Sequence, residues 1–255
     1  MRANRRSATP VDEVSRTSAS RSQRSASAWT AAGRDYVKVR TAALVPVPGT
    51  IQGPRLPPCV VASATDAVST PWRALLKTGV VKPEDTLLVV GCGGLGHNAI
   101  QIAKHILGVR TLIASDIRQE SLQLARESGA DLVAVPKELK ALFKEKKLRP
   151  DVVVDVVGKQ DTFDLAVSLL RIGGKILVMG LGDATICFQP LILAQKQITV
   201  QTSFAAANED LEQSLAAIAA GKIKPKVEER PLNDCGAVIQ GLEKGEIRAR
   251  VALIP

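Results

Sequence analysis

Thr86-Leu87-Leu88-Val89-Val90 runs directly into Gly91-Cys92-Gly93-Gly94-Leu95-Gly96, after which Leu95, Ala99, Ile102, Ala103 and Ile106 recur at helical spacing. An apolar run, a glycine cluster and an amphipathic helix in that order predict a strand–turn–helix unit. The glycines fall as G-x-G-x-x-G. In such a turn Gly91 permits the tight bend, Gly93 lets the backbone approach a pyrophosphate, and Gly96 lets helix and strand pack closely. The phosphates then meet a helix N-terminus, where free N–H groups and the helix dipole favour negative charge. A second feature stands in register with the glycines. Asp116 closes the next apolar run twenty residues after Gly96, where a carboxylate reaches the ribose hydroxyls of an adenosine. Together they predict a dinucleotide site. The carboxylate repels a 2′-phosphate and so favours NAD(H) over NADP(H), while Arg118, two residues on, works the other way. Asp116 also reads as a solvated acid capping the helix that starts near Arg118.

Outward from this unit the alternation continues. Val109–Ser115 reads as a strand and Gln119–Ser128 as a helix closed by Gly129. Leu132–Val135, a basic helix over Lys137–Lys147, the strand Asp151–Val157, the helix Asp161–Leu170 and the strand Lys175–Gly180 follow. Strands alternating with helices predict a parallel sheet covered on both faces. The near-continuous apolar character of Leu87–Val90 and Val152–Val157 suits strands buried on both faces. The predicted fold class is α/β, a doubly wound parallel sheet of the Rossmann type.

The chain has 255 residues, 45% apolar and 23% charged, with a net charge of +9. That composition excludes a collagen-like fibre and a wholly disordered chain. The charge is unevenly placed. Residues 1–34 carry seven arginines against Asp12 and Glu13, five of the nine net charges, among Ser, Ala and Thr. Such a segment buries too little apolar surface to offset its ordering entropy, so residues 1–32 are expected to form a disordered basic tail. The tail reads as an unstructured extension or, being rich in Arg and Ser and poor in acids, as a mitochondrial transit peptide. The expected location is cytoplasmic, with the mitochondrial matrix as the alternative. Its arginines are not interleaved with a series of stacking aromatics, so no nucleic-acid partner is expected. No apolar run approaches the roughly 20 residues of a membrane span, so no membrane partner is expected either.

Cys59, Cys92, Cys187 and Cys235 stand 33 or more residues apart, and His occurs only at 97 and 105. There is no Cys-x-x-Cys pair for a structural zinc site and no disulfide framework.

Thr65-Asp66-Ala67-Val68-Ser69-Thr70-Pro71-Trp72-Arg73-Ala74, the Gly91–Gly96 turn and Ala219–Pro225, with Gly221-Lys222-Ile223-Lys224, together resemble the zinc-type medium-chain alcohol dehydrogenases. Asp35–Val39, Leu44–Pro48 and the ending Leu242–Leu253 have the same look, so the resemblance runs from about Ala32 to Pro255. It implies an oxidoreductase that moves a hydride between a nicotinamide ring and an alcohol or aldehyde, with a catalytic zinc polarising the oxygen. Carried over residue by residue, it places Gly91, Gly93, Gly94, Leu95 and Gly96 at the pyrophosphate. Asp116 falls at the ribose, Ile117 and Arg118 beside the adenine, and Gly158 on the adenosine side. Thr70, Gly180, Leu181, Ser203 and Phe204 fall near the nicotinamide. Arg250 falls at the pyrophosphate, a role for which Arg248 competes.

The resemblance further implies that Asp66 is the third protein ligand of the zinc. The other two, an early Cys and the His of a Gly-His-Glu motif, are expected upstream, and no Gly-His-Glu occurs. His97 and His105 lack that context and read as surface or helix-end histidines, and the neighbours of Cys59 do not resemble the motif. No catalytic residue is assigned. The expected organisation is a tail (1–32), a remnant of a GroES-like catalytic domain with its linker (33–70), an NAD-binding domain (71–221) and a segment returning to the catalytic side (222–255). The expectation is thus an NAD-dependent, zinc-type oxidoreductase, truncated and competent at most for NAD binding. A catalytically silent NAD-binding module that partners full-length subunits and a zinc-free, quinone reductase-like enzyme are the alternatives. The resemblance implies a homo- or heterodimer through the sheet edge near Lys175–Met179 and Ile198–Ser203.

Overall fold

Short runs of β-branched and leucine side chains, each followed by an amphipathic helix, settle into a six-stranded parallel sheet. The computed structural model describes residues 39–49 and 56–255, so the expected tail lies outside the described residues. The chain divides into two units, residues 1–45 with 255 and residues 46–254. In the first, the described residues form one 3₁₀ turn, Thr41–Ala43, between extended Arg40 and Leu44.

In the second unit, α1 (Pro58–Ser63) leads through a π-helical turn (Ala64–Val68) into α2 (Ser69–Leu76). The sheet and its helices follow: β1 (Thr86–Val90), α3 (Gly96–His105), β2 (Thr111–Ser115), α4 (Gln119–Glu127), β3 (Leu132–Ala134), α5 (Leu139–Lys146) and β4 (Val152–Asp155). Then come α6 (Gln160–Leu169), β5 (Lys175–Val178), α7 (Pro190–Lys196), β6 (Thr199–Thr202) and α8 (Asn208–Ala219). A two-stranded parallel ribbon, β7 (Val227–Pro231) with β8 (Arg250–Ile254), brackets α9 (Cys235–Glu243) and packs on α1.

The strand order is β3-β2-β1-β4-β5-β6, all neighbours parallel. The order reverses between β1 and β4, which opens a crevice at the carboxyl ends of those strands. On one face Leu88, Val90, Ile113, Val153 and Ile176 pack with Leu139 and Phe143 of α5 and Phe163, Ala166 and Leu169 of α6. On the other face α3 lies against β1 and β2. This two-sided cover accompanies the nearly apolar β1 and β4, as the sequence pattern implies, whereas β6 is polar and largely exposed. Among the described residues no helix is long and apolar enough to cross a membrane.

The strands are shorter than the apolar runs suggest, for local reasons. β4 ends at Asp155 rather than Val157 because the Asp155 carboxylate, fully buried, accepts the N–H groups of Val157 and Gly158 at 2.9 Å each. β5 ends at Val178 rather than Gly180 because Met179 and Gly180 both donate to the Asp155 carbonyl. The Lys137–Lys147 helix opens as a 3₁₀ turn, Pro136–Glu138, before α5 proper. Lys175–Met179 is not a sheet edge: β5 lies between β4 and β6, and β6 alone borders solvent on that side.

Leu88 is fully buried at the centre of this core. Leu88→Ala should lower the stability of the folded chain by about 3 kcal/mol through lost transfer energy and a residual cavity, read as a lower urea midpoint. Burial raises the thiol pKa of Cys59 and Cys92, and the acids Glu229 and Asp116 act in the same direction, whereas Cys187 and Cys235 are exposed. A thiol-reactive disulfide should titrate two thiols quickly in the native protein and the remaining two only in denaturant.

Candidate functional site

The glycine turn bends so tightly that side chains cannot be accommodated at two of its positions. A Cβ on Gly96 would lie 1.8 Å from the Gly91 carbonyl oxygen, and Gly91 itself has φ 91°. The Gly91 N–H donates to the Ser115 carbonyl at 2.8 Å, fixing the turn to the end of β2. The helix that follows, α3, begins without any side-chain cap, and of its first N–H groups that of His97 donates to the Gly93 carbonyl at 3.1 Å.

Asp116 sits at the end of β2 and is buried. Its carboxylate accepts the Cys92 N–H at 2.8 Å and the Arg118 N–H at 3.0 Å. It is therefore neither solvated nor a cap of α4: it ties the glycine turn to the neighbouring strand. Ile117 beside it projects into solvent, 81% exposed.

Two guanidinium groups flank the turn. A Cβ on Gly93 would meet Arg118 Nη2 at 3.7 Å, and one on Gly94 would meet Arg250 Nη1 at 2.7 Å. Arg118 is held by the Gly245 carbonyl, and Arg250 by Asp66 at 2.8 Å. Arg248 pairs instead with Glu120. The geometry thus separates two arginines that the sequence left in competition: Arg250 is the one at the turn.

Gly158 and Gly180 follow β4 and β5 and touch backbone to backbone. A Cβ on Gly158 would lie 2.1 Å from the Gly180 carbonyl carbon, and one on Gly180 2.1 Å from that of Val157. Beyond them opens a cleft of about 490 Å³. Asp66 and Thr70 line it on one side and Leu95 of the glycine turn at its base. Gly180, Leu181, Ser203 and Phe204 line the other side. Leu181 and Phe204 are 76% and 63% exposed, unusual for side chains of this size. From Asp116 to Ser203 the predicted residues sit at the carboxyl ends of β2, β1, β4, β5 and β6, four strand spacings or roughly 19 Å.

Val156, Met179, Ala205 and Ala206 also line the cleft and carried no motif in the sequence, and Thr65, which opens the Thr65–Ala74 motif without an assigned role, lines it too. Asp155, which shapes both crossing loops, fell inside the expected strand Asp151–Val157 and carried no reading of its own. His97 stands at one end of its helix, as one of the two readings of the sequence has it, but it is buried. It is not a surface histidine but 1% exposed, with Nδ1 2.8 Å from the Gly93 carbonyl and Nε2 accepting the Lys226 N–H at 3.0 Å. His105 does lie exposed at the helix end.

The metal donor set is a separate matter. The Asp66 carboxylate accepts from Thr70 Oγ1 at 3.0 Å and pairs with Arg250. Among the described residues no three His, Cys, Asp or Glu side chains come together to hold a metal. These donors do not fit a catalytic zinc, which takes three protein ligands.

The family profile described as "Zinc-binding dehydrogenase" matches residues 94–220. An alcohol dehydrogenase of Geobacillus stearothermophilus is 34% identical over 186 residues, covering 72% of this chain and 54% of that protein. A second from the same organism is 28% identical over 78% of this chain and 58% of its own length. Among solved structures, acetophenone reductase from Geotrichum candidum in complex with NAD shares 33% identity and a TM-score of 0.67, over 79% of this chain and 58% of its own. The alcohol dehydrogenase of Aeropyrum pernix shares 30% identity and a TM-score of 0.70, over 76% and 57%. The chain thus spans somewhat over half the length of the relatives it matches. A reversed strand order, a glycine turn at the reversal and an acid closing the second strand accompany these likenesses, and over residues 94–220 the chain belongs to the zinc-binding dehydrogenase family.

Proposed function

We propose that this chain is an NAD(H)-dependent oxidoreductase of the zinc alcohol dehydrogenase type, whose own residues seat the dinucleotide across the carboxyl ends of the sheet. The observation that carries this reading is the Gly91–Gly96 turn, held by the Asp116 carboxylate and flanked by Arg118 and Arg250. The pyrophosphate lies over Gly93, Gly94 and Leu95 at the start of α3, within reach of Arg250. The adenosine ribose lies at Asp116, with Ile117 and Arg118 against the adenine and Gly158 beneath. The nicotinamide enters the cleft between Thr70 and the Gly180–Leu181 and Ser203–Phe204 loops, whose exposed apolar side chains offer it a flat face. NAD suits Asp116 better than NADP, because a 2′-phosphate beside a buried carboxylate meets like charge.

Hydride transfer between an alcohol or aldehyde and the nicotinamide is the reaction class this placement serves. No step is assigned to zinc, because Asp66 is engaged by Arg250 and Thr70 and has no partner donors among the described residues. That engagement favours, as a second reading, a nucleotide-binding module without turnover of its own. An alcohol-oxidation assay with zinc analysis separates the two: turnover with one zinc per chain supports the enzyme, NADH binding without turnover supports the module.

Asp116→Ala should weaken NADH binding by roughly tenfold and narrow the preference over NADPH, since a charge-assisted hydrogen bond of about 1.5 kcal/mol or more is lost. Fluorescence titration with both cofactors reads this, and unchanged NADH affinity overturns the ribose assignment. A dimer formed along β6 is part of the same proposal: that strand borders solvent, Val200 on it is 40% exposed, and Leu191 of α7 is 68% exposed. Sedimentation should then show a dimer that Val200→Lys converts to a monomer. A wild-type monomer at high concentration would remove the dimer from the proposal.

A further inference from the structure

The carbonyls of the glycine turn are held from behind by two buried side chains of α3. His97 Nδ1 lies 2.8 Å from the Gly93 carbonyl oxygen, which also accepts the His97 N–H at 3.1 Å. Asn98 Nδ2 donates to the Gly94 carbonyl at 3.1 Å and to the Ala67 carbonyl at 3.0 Å. Asn98 is fully buried and His97 nearly so. In a planar trans peptide the C=O and the following N–H point opposite ways. Drawing the Gly93 carbonyl back toward α3 therefore aims the Gly94 N–H out of the helix N-terminus, and drawing back the Gly94 carbonyl aims the Leu95 N–H likewise. These are the donors a phosphate would meet.

The protonation state of His97 follows from its partners. Nε2 accepts the Lys226 N–H at 3.0 Å, so it carries no proton, and the ring N–H is on Nδ1, donating to Gly93. The neutral imidazole thereby bridges the glycine turn to the connection that leads into β7. Gln101, one turn on, meets the same connection through both the N–H and the carbonyl of Lys224.

We infer that His97, seconded by Asn98, is a positioning residue for the dinucleotide: its neutral ring fixes the Gly93–Gly94 peptide so that the Gly94 N–H faces the pyrophosphate. The inference rests on the NAD(H) reading above. Protonating Nε2 would set an N–H against the Lys226 N–H, so the bridge exists only while the ring is neutral. Burial pulls the His97 pKa below the usual 6.5, with the Gly93 carbonyl opposing and the Arg250 charge assisting. Arg250 of β8 is the charged side chain that acts on the ring; the β7 connection meets it with the Lys226 backbone, and the turn with a carbonyl. For a histidine whose folded-state pKa is depressed, the contribution is present above 6.5 and is lost as pH falls through the lower folded value. Dinucleotide affinity therefore falls on the acid side of neutrality.

The test uses the full chain and three proteins: wild type, His97→Ala and His97→Asn. An asparagine amide N–H stands close to where Nδ1–H stood but does not titrate. NADH titrations from pH 7.5 to 5 should show His97→Ala weakened by roughly tenfold at pH 7.5, a loss of the size one buried hydrogen bond controls. His97→Asn should recover most of that loss and bind with a flatter pH profile than wild type. Amide hydrogen exchange at residues 93–96, without cofactor, should be faster in His97→Ala than in wild type and intermediate in His97→Asn. Wild-type binding that His97→Ala leaves unchanged overturns this inference alone, as does a recovery by His97→Asn that keeps the wild-type pH profile. A wild-type chain that binds no NADH overturns the dinucleotide reading and the positioning role with it, whatever the exchange rates.

Discussion

A backbone contact governs the architecture of the site: the Gly91 carbonyl occupies the space a Cβ on residue 96 would need, 1.8 Å away. That contact lets α3 start directly on the end of β1. With α3 so placed, its first N–H groups meet the crevice where the strand order reverses between β1 and β4. A second contact of the same kind, between Gly158 and Gly180, lets the loops after β4 and β5 cross without a side chain between them. Both are places where the backbone approaches itself too closely for any residue but glycine.

Carboxylates hold these contacts in place, each by a different route. Asp116 reaches across from β2 to the Cys92 N–H. Asp155 turns its side chain on the loop after β4, at Val157 and Gly158, and its carbonyl on the loop after β5, at Met179 and Gly180. Its second carboxylate oxygen accepts the Thr162 hydroxyl at 2.7 Å, which seats the start of α6. A buried carboxylate with all these donors is stable where an unpaired one would not be.

The glycine turn, Asp116 and the alternation of strand and helix were legible because each is a local pattern: a fixed spacing, a closing residue, a period of 2 or 3.6. Asp155 and His97 were not, because their roles depend on what lies across the fold. His97 reads as an ordinary polar residue at the start of a helix until Lys226, 129 positions away, brings its N–H to the ring. The competition between Arg248 and Arg250 is similar. The two stand at i and i+2, which share a face on a strand, so alternation does not separate them. Arg250 opens β8 and pairs with Asp66 beside the turn, whereas Arg248 lies ahead of the strand and pairs with Glu120. The sheet edge was half legible for the same reason: β5 and β6 both end in the site, yet the order of pairing makes β6 the border.

The charge of the chain takes on a different meaning at this site. The net +9 suggests a protein drawn to anions, yet the charged groups around the turn are Arg118 and Arg250 against Asp116 and Asp66, two of each sign. Long-range attraction therefore contributes little to selecting an anion there. The exposed Asp66–Arg250 pair is worth at most about 1 kcal/mol, since solvent screens it. On the dinucleotide proposal, selection falls instead to directed donors: the Gly94 and Leu95 N–H groups and the dipole of α3 behind them, which act over a single turn. Directed donors work only if their peptide planes are fixed. That requirement is why so much of the buried polar structure, from Asp116 to His97 and Asn98, is spent on orienting four residues of backbone.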